Sequence, residues 1–214
     1  MHAAAAGWSD GGLADAVVAT GTKFALGLTG AIVCGTVIGV VVGGSTRLRR
    51  ATGVIFEVGR ATPPPVLAPA ATLAFGSTPA IATSVVVVAG LWPVLLNVMS
   101  SREQLSGTRR EVAATLRMSR SATFWKVTLP SVVPGLMTGI RVAAPLCLVL
   151  SLLVEMLTSL PGLGYELLAA QQSFNSAGAF AVLVITASIG LLVSLSVVVV
   201  QTAVDRRWPA TSAR

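Results

Sequence analysis

The stretch "TRREVAATLRMSRSATFWKVTLP", Thr108 to Pro130, is strongly basic, yet it lies in a 214-residue chain that is 54% hydrophobic and only 11% charged. A mean hydropathy of +0.82, with long uncharged runs on both sides of the stretch, is what a chain needs when lipid surrounds it. An all-α polytopic membrane protein follows. At about 20 residues per transmembrane helix, the length accommodates about five spans once loops are subtracted. The basic stretch is then a loop between spans, and the side on which it lies fixes the topology.

Working outward, the uncharged runs place the spans. Phe24 to Gly44 is bounded by Lys23 and the cluster "TRLRR", and Gly35 and Gly39, at i, i+4 spacing, let a neighbouring helix approach closely. The run from Ala61 to Ser101 is too long for one helix and is punctuated by "TPPPV" and "GSTP", so it divides into Val66 to Phe75 and Ala80 to Met99. The shorter piece, which holds Pro69, is compatible with a kinked span or a re-entrant segment; the charge pattern favours a span. After the basic loop come Ser131 to Val154, interrupted by Arg141, and Ala177 to Val204.

With five alternating spans, one face collects the arginines of the 47–60 region, of the 102–126 loop with Lys126, and of the C-terminus, while Lys23 alone falls on the other. The positive-inside rule puts the loop and a tail over 206–214 in the cytoplasm, and the N-terminus outside. The opening "MHAAAAGWSDGG" lacks a positive n-region, so residues 1–19 read as a short extracytoplasmic tail rather than a secretory signal. Cys34 and Cys147 lie in apolar runs without metal-type spacing and read as small core residues.

Catalytic chemistry finds no footing. A P-loop needs Gly directly before its Lys, whereas the lysines here follow Thr22 and Trp125. The sole histidine is His2, and neither Asp nor His lies within a span, which excludes Ser–His, zinc and intramembrane di-aspartyl hydrolases. No cofactor or metal site is expected.

Within the loop, "TRRE" at Thr108 to Glu111 has the form of a capping box, and Val112, Ala113 and Leu116 follow on one face. "SRS" at Ser119 to Ser121 offers a turn and a fresh cap, a second short helix carries Phe124 and Val127, and Pro130 suits the first turn of the next span. Two short amphipathic helices bury little against each other. They need a partner, which could be anionic headgroups or a protein.

The residues Glu111, Ala113, Leu116, Ser119, Phe124, Val127, Leu129 and Pro130 resemble the EAA loop of binding-protein-dependent ATP-binding-cassette importer permeases. "RATPPPVLAPAATLAFG", "PVLLN", "EMLTSLPGLGYELLAAQQSF" and the closing "VDRRW" extend the resemblance over about Thr20 to Trp208, toward the nitrate/taurine/alkanesulfonate branch. The resemblance implies a type I importer permease domain over 20–205 in the inner membrane, with a cytoplasmic coupling loop over about 102–129. It implies that Glu111, Ala113 and Leu116, with the turn at Arg117 and Ser119, contact a separate ATPase dimer that binds ATP and Mg. Phe124 and Pro130 would anchor the loop, and Gly162, Gly164 and Tyr165 would lie where a solute-binding protein docks. A second permease subunit, a homodimer partner, would complete the pathway, with lipids but no nucleic acid as further partners.

Two departures stand out. Arg117 occupies a position where the family usually has Gly, which suggests a turn displaced toward Ser119. The family's usual first span has no counterpart, since "ATGTKFALG" resembles its second; the chain reads as a minimal five-span permease or as one whose start lies downstream of the true one.

Asn97, Arg141 and Glu155 are the candidates for the pathway or its gate. Intramembrane charges cost about 2.5 to 3.5 kcal/mol on insertion scales and so face protein or water. Arg141 either snorkels to the cytoplasm or helps an anion across; Glu155 either sits at the outer interface or shapes an outer gate. The expected solute is a small anion such as sulfonate, taurine or nitrate. The alternatives are a quaternary ammonium compound or an amino acid and, from another class, a scaffold or signalling protein that uses the basic loop without transport.

Overall fold

The computed structural model describes residues 12–104 and 115–207, and these are almost wholly helical. In chain order the helices are α1 (Gly12–Gly43), α2 (Thr46–Ala61), α3 (Pro64–Phe75), α4 (Pro79–Glu103), α5 (Arg120–Thr123), α6 (Leu129–Thr158), α7 (Leu163–Gln172) and α8 (Ser176–Arg207); a π-helical segment, Phe124–Thr128, joins α5 to α6. Among the described residues, four helical stretches are long and apolar enough to cross a membrane: Gly12–Gly43, Pro79–Glu103, Ser121–Thr158 and Ser176–Val204.

The expected span at Val66 to Phe75 is the 12-residue apolar helix α3. At 1.5 Å per residue it reaches only about 18 Å, short of a hydrocarbon core of about 30 Å. Pro64 and Pro65 sit in its first turn, where the missing N–H groups have no intrahelical partner to lose, and Pro69 lies inside it. The preceding segment, which carries the arginines of the 47–60 region, is the amphipathic helix α2. None of its residues is buried.

The first span begins earlier than its uncharged run suggests. α1 starts at Gly12, so part of the expected 1–19 tail is helical, and Lys23 lies inside the helix rather than at its border. The hydropathy reading stopped at the charge; the fold passes through it because the charge is neutralised.

The chain divides into two compact units. Among the described residues, the first comprises 12–31, 62–90 and 144–194; the second comprises 32–61, 91–104, 115–143 and 195–207. In the first, Val86, Ala89, Cys147 and Leu150 form a core with Phe24 and Leu28 against it, and Ala16, Leu163 and Val182 form another. In the second, α1 and α4 approach as closely as the glycine spacing predicts. A methyl group at Gly35 would come within 2.9 Å of Val94, and one at Gly39 within 2.7 Å of Val98. Trp92 packs edge-on against Phe56 at 6.1 Å, a packing role.

Candidate functional site

In the first unit, Glu155 on α6 is 0% exposed, with Thr20 at 1% and Lys23 at 6%, both on α1. Lys23 Nζ donates to Glu155 Oε1 at 2.8 Å and also to the carbonyl of Pro161. Thr20 Oγ1 donates to Glu155 Oε2 at 2.9 Å and accepts the Leu163 N–H at 2.8 Å. The Gly164 N–H donates to Glu155 Oε2 at 2.9 Å. Both charges therefore have a counter-ion and further hydrogen bonds, the condition under which ions tolerate burial.

The glycines of "PGLG" are explained by the same group. A methyl at Gly162, whose φ is 156°, would come within 2.2 Å of the Glu155 carboxyl, and one at Gly164 within 2.1 Å of the Leu152 carbonyl oxygen. The turn closes directly over the carboxylate. Glu155 is thus enclosed by its own chain rather than exposed at the surface. Sequence reading found the acid and the turn but missed Lys23 and Thr20. The available signal was that a buried acid requires a counter-ion, and Lys23, read as a span boundary, was the cation placed on the same face as the turn.

The loop segment in the second unit is different in character. Thr115–Arg117 and Met118–Ser119 lead into α5, with Leu116 66% exposed. The turn is not displaced toward Ser119: Arg117 itself adopts the left-handed conformation, φ 47°. Ser119 caps α5 as expected, its Oγ accepting the Ala122 N–H at 3.2 Å. The second short helix is not separate. It runs through the π-helical segment into α6, with the Leu129 N–H reaching the Phe124 carbonyl. Pro130 is the physical reason, since its ring would clash with the i−4 carbonyl of a regular helix and a wider turn relieves that clash. Phe124 and Trp125 meet edge to face at 5.5 Å, and Trp125 remains 63% exposed. Glu111 and Ala113, with the capping box at Thr108 to Glu111, lie outside the described residues.

Of the other candidates, Asn97 is half-buried in α4 and spends its amide on the Pro93 carbonyl at 2.8 Å. Arg141 is exposed on α6 and belongs to the second unit, whereas Glu155 belongs to the first. Tyr165, beside the turn, is exposed. Among the described residues no cluster of His, Cys, Asp and Glu could hold a metal ion.

Several long apolar helices, with a buried and internally neutralised ion pair, mark a multi-pass membrane protein. The chain belongs to the family of binding-protein-dependent transport system inner membrane components, whose model matches residues 31–209. It is 29% identical over 186 residues to the nitrate import permease protein NrtB of Synechocystis sp., covering 87% of this chain and 68% of that protein. To the bicarbonate transport system permease protein CmpB of Synechococcus elongatus it is 32% identical over 188 residues, covering 87% and 67%. Its fold is similar to a chain of the MetNI methionine ABC transporter in an inward-facing conformation, with a TM-score of 0.78, 18% identity and coverage of 90% of this chain and 95% of that one.

Proposed function

We propose that this chain is the permease subunit of an ATP-driven, binding-protein-dependent importer for a small oxyanion. The observation that carries the coupling half of this reading is the segment Leu116 to Trp125, a cationic and amphipathic run in which Leu116, Phe124 and Trp125 are exposed among the described residues. An exposed Leu116 and Trp125 on a basic support fit a protein groove better than headgroups alone, because the segment sits in a chain of an importer family. The partner is a cytoplasmic ATPase dimer that binds ATP and Mg, met by Glu111, Ala113, Leu116, Arg117 and Ser119, with Phe124 and Pro130 anchoring the loop to α6.

In this reading α3 is too short to cross alone, and the fifth crossing is made by α3 together with the non-helical residues at its two ends, which keeps the arginine clusters on one face, with the N-terminus outside and the C-terminus cytoplasmic. A second copy of the permease completes the pathway, and the solute-binding protein docks beside Gly162, Gly164 and Tyr165. Two relatives are named for nitrate and for bicarbonate, which supports a small anion as the solute. Arg141, a cation on α6, suits transient contact with such an anion, since tight binding would slow release; Asn97 adds a polar group on α4.

The test is uptake of labelled nitrate, bicarbonate and taurine, beside glycine betaine, in cells expressing the whole system. Leu116→Asp should abolish uptake and ATPase copurification while the permease stays inserted at wild-type level. Normal uptake in Leu116→Asp would defeat the coupling reading. Uptake confined to glycine betaine would defeat the anion assignment alone.

A further inference from the structure

The ion pair between α1 and α6 could be read as glue between two spans. Its hydrogen bonds argue otherwise. Of the five that make up the network, two join the helices, from Thr20 and Lys23 to Glu155, and three end on the turn, at the Pro161 carbonyl and the Leu163 and Gly164 amides. Burying two charges is an expensive way to join two helices, and apolar residues of similar volume often do so as stably. What apolar residues cannot do is hold backbone amides and a carbonyl in place.

The turn needs holding. It contains two glycines, the residue type that loses most conformational freedom on ordering, and it starts α7, whose second and third residues are Gly164 and the exposed Tyr165. Leu163 is fully buried in an apolar cluster with Ala16 and Val182, but apolar contacts are non-directional and fix a position without fixing the direction of the amides beside it. The carboxylate supplies direction. Oε2 accepts Gly164 N–H and Thr20 Oγ1, Thr20 accepts Leu163 N–H, and Lys23 balances the charge while gripping Pro161.

We propose that Lys23, Thr20 and Glu155 form a buried charge latch that fixes the Pro161–Gly164 turn, and with it the presentation of Tyr165 on α7, to the first span. They are positioning residues for the edge at which the binding protein docks, and that functional part of the inference rests on the proposed function above. Glu155 then does not meet solute; its charge is consumed within the chain.

The experiment is hydrogen exchange by mass spectrometry on the purified full chain, reading a peptide over 161–166 against one over 91–98. In the wild type the turn peptide should exchange slowly despite lying in a loop. Lys23→Met combined with Glu155→Gln removes the charge pair without stranding a buried ion, and should speed exchange of the turn at least tenfold while leaving 91–98 unchanged. Thr20→Val should do the same more weakly, and Thr20→Ser, which restores the hydroxyl, should return the wild-type rate. Unchanged turn exchange in the double variant, or acceleration shared by 91–98, would overturn the latch. In cells, the double variant should lower uptake of whichever of labelled nitrate or bicarbonate the wild type takes up by at least fivefold at equal membrane level. Wild-type uptake in a variant whose turn exchanges rapidly would overturn the positioning role. Uptake of neither solute by the wild type would instead count against the anion reading and leave the exchange result standing.

Discussion

The Pro161–Gly164 turn and the Leu116–Thr128 segment are both short connections next to α6, and they are held in opposite ways. The turn spends its polar groups on side chains from another helix and buries Leu163. The loop segment makes its hydrogen bonds locally, through Ser119 to Ala122 and Thr123, and leaves Leu116 and Trp125 uncovered. A connection satisfied within its own chain is held by the fold; one whose apolar side chains are exposed depends on its surroundings, lipid or protein, to cover them.

The largest test of that contrast is Glu155→Ala, which would leave Lys23 buried without its counter-ion. Removing one partner of a buried pair costs about 3 to 5 kcal/mol, so the variant should accumulate poorly and lose most of its thermal stability in detergent. Lys23→Met/Glu155→Leu should recover much of it. A fully stable Glu155→Ala would break the claim that the turn region is held from within.

Gly164→Ala comes next. Its methyl group would collide with the backbone oxygen of Leu152, which cannot swing aside as a side chain would, and overpacking of this kind costs about 1 to 3 kcal/mol. A melting temperature lowered by several degrees is expected, with the loop segment unaffected.

In the loop segment the effects should be smaller and of opposite sign. Arg117→Gly removes a side chain from the left-handed region, a strain of about 1 to 2 kcal/mol for a non-glycine residue. Part of that gain is offset by the greater freedom of glycine in the unfolded chain. A small rise in thermal stability, with uptake at or above the wild-type rate, would sharpen the view that Arg117 is tolerated rather than required. A fall would show that its side chain makes a contact of its own.

Gly53→Ala, in the middle of α2, is the mildest. Nothing lies within 4 Å of a methyl group there, so the helix should gain about 0.5 to 1 kcal/mol by propensity alone. Destabilisation would mean that α2 is covered in the membrane by something the isolated chain lacks.

Much of the fold was legible because apolar runs and the prolines and glycines between them carry it. Spans around Ala80–Met99, Ser131–Val154 and Ala177–Val204 fall within α4, α6 and α8, and the close approach at Gly35 and Gly39 could be inferred from small residues at helical spacing. The start of α1 was hidden because Lys23 looks like a boundary when its neutralising partner stands far along the chain. α2 was hidden because its arginines mask the helical spacing of Leu48, Val54, Ile55 and Val58, all exposed.

Composition and local pattern are enough to establish a helical membrane protein, to concentrate its cations between particular spans, and to reveal the resemblance to an importer permease. Those properties depend on composition and on neighbours within a few turns of helix. The packed fold was needed to pair Glu155 with Lys23, to bring the "PGLG" turn over their network, and to place the left-handed geometry on Arg117 itself. Pairing of charges separated by more than a hundred residues depends on which helices pack together, and backbone angles at a turn depend on what both of its ends are fastened to; neither is written in local pattern.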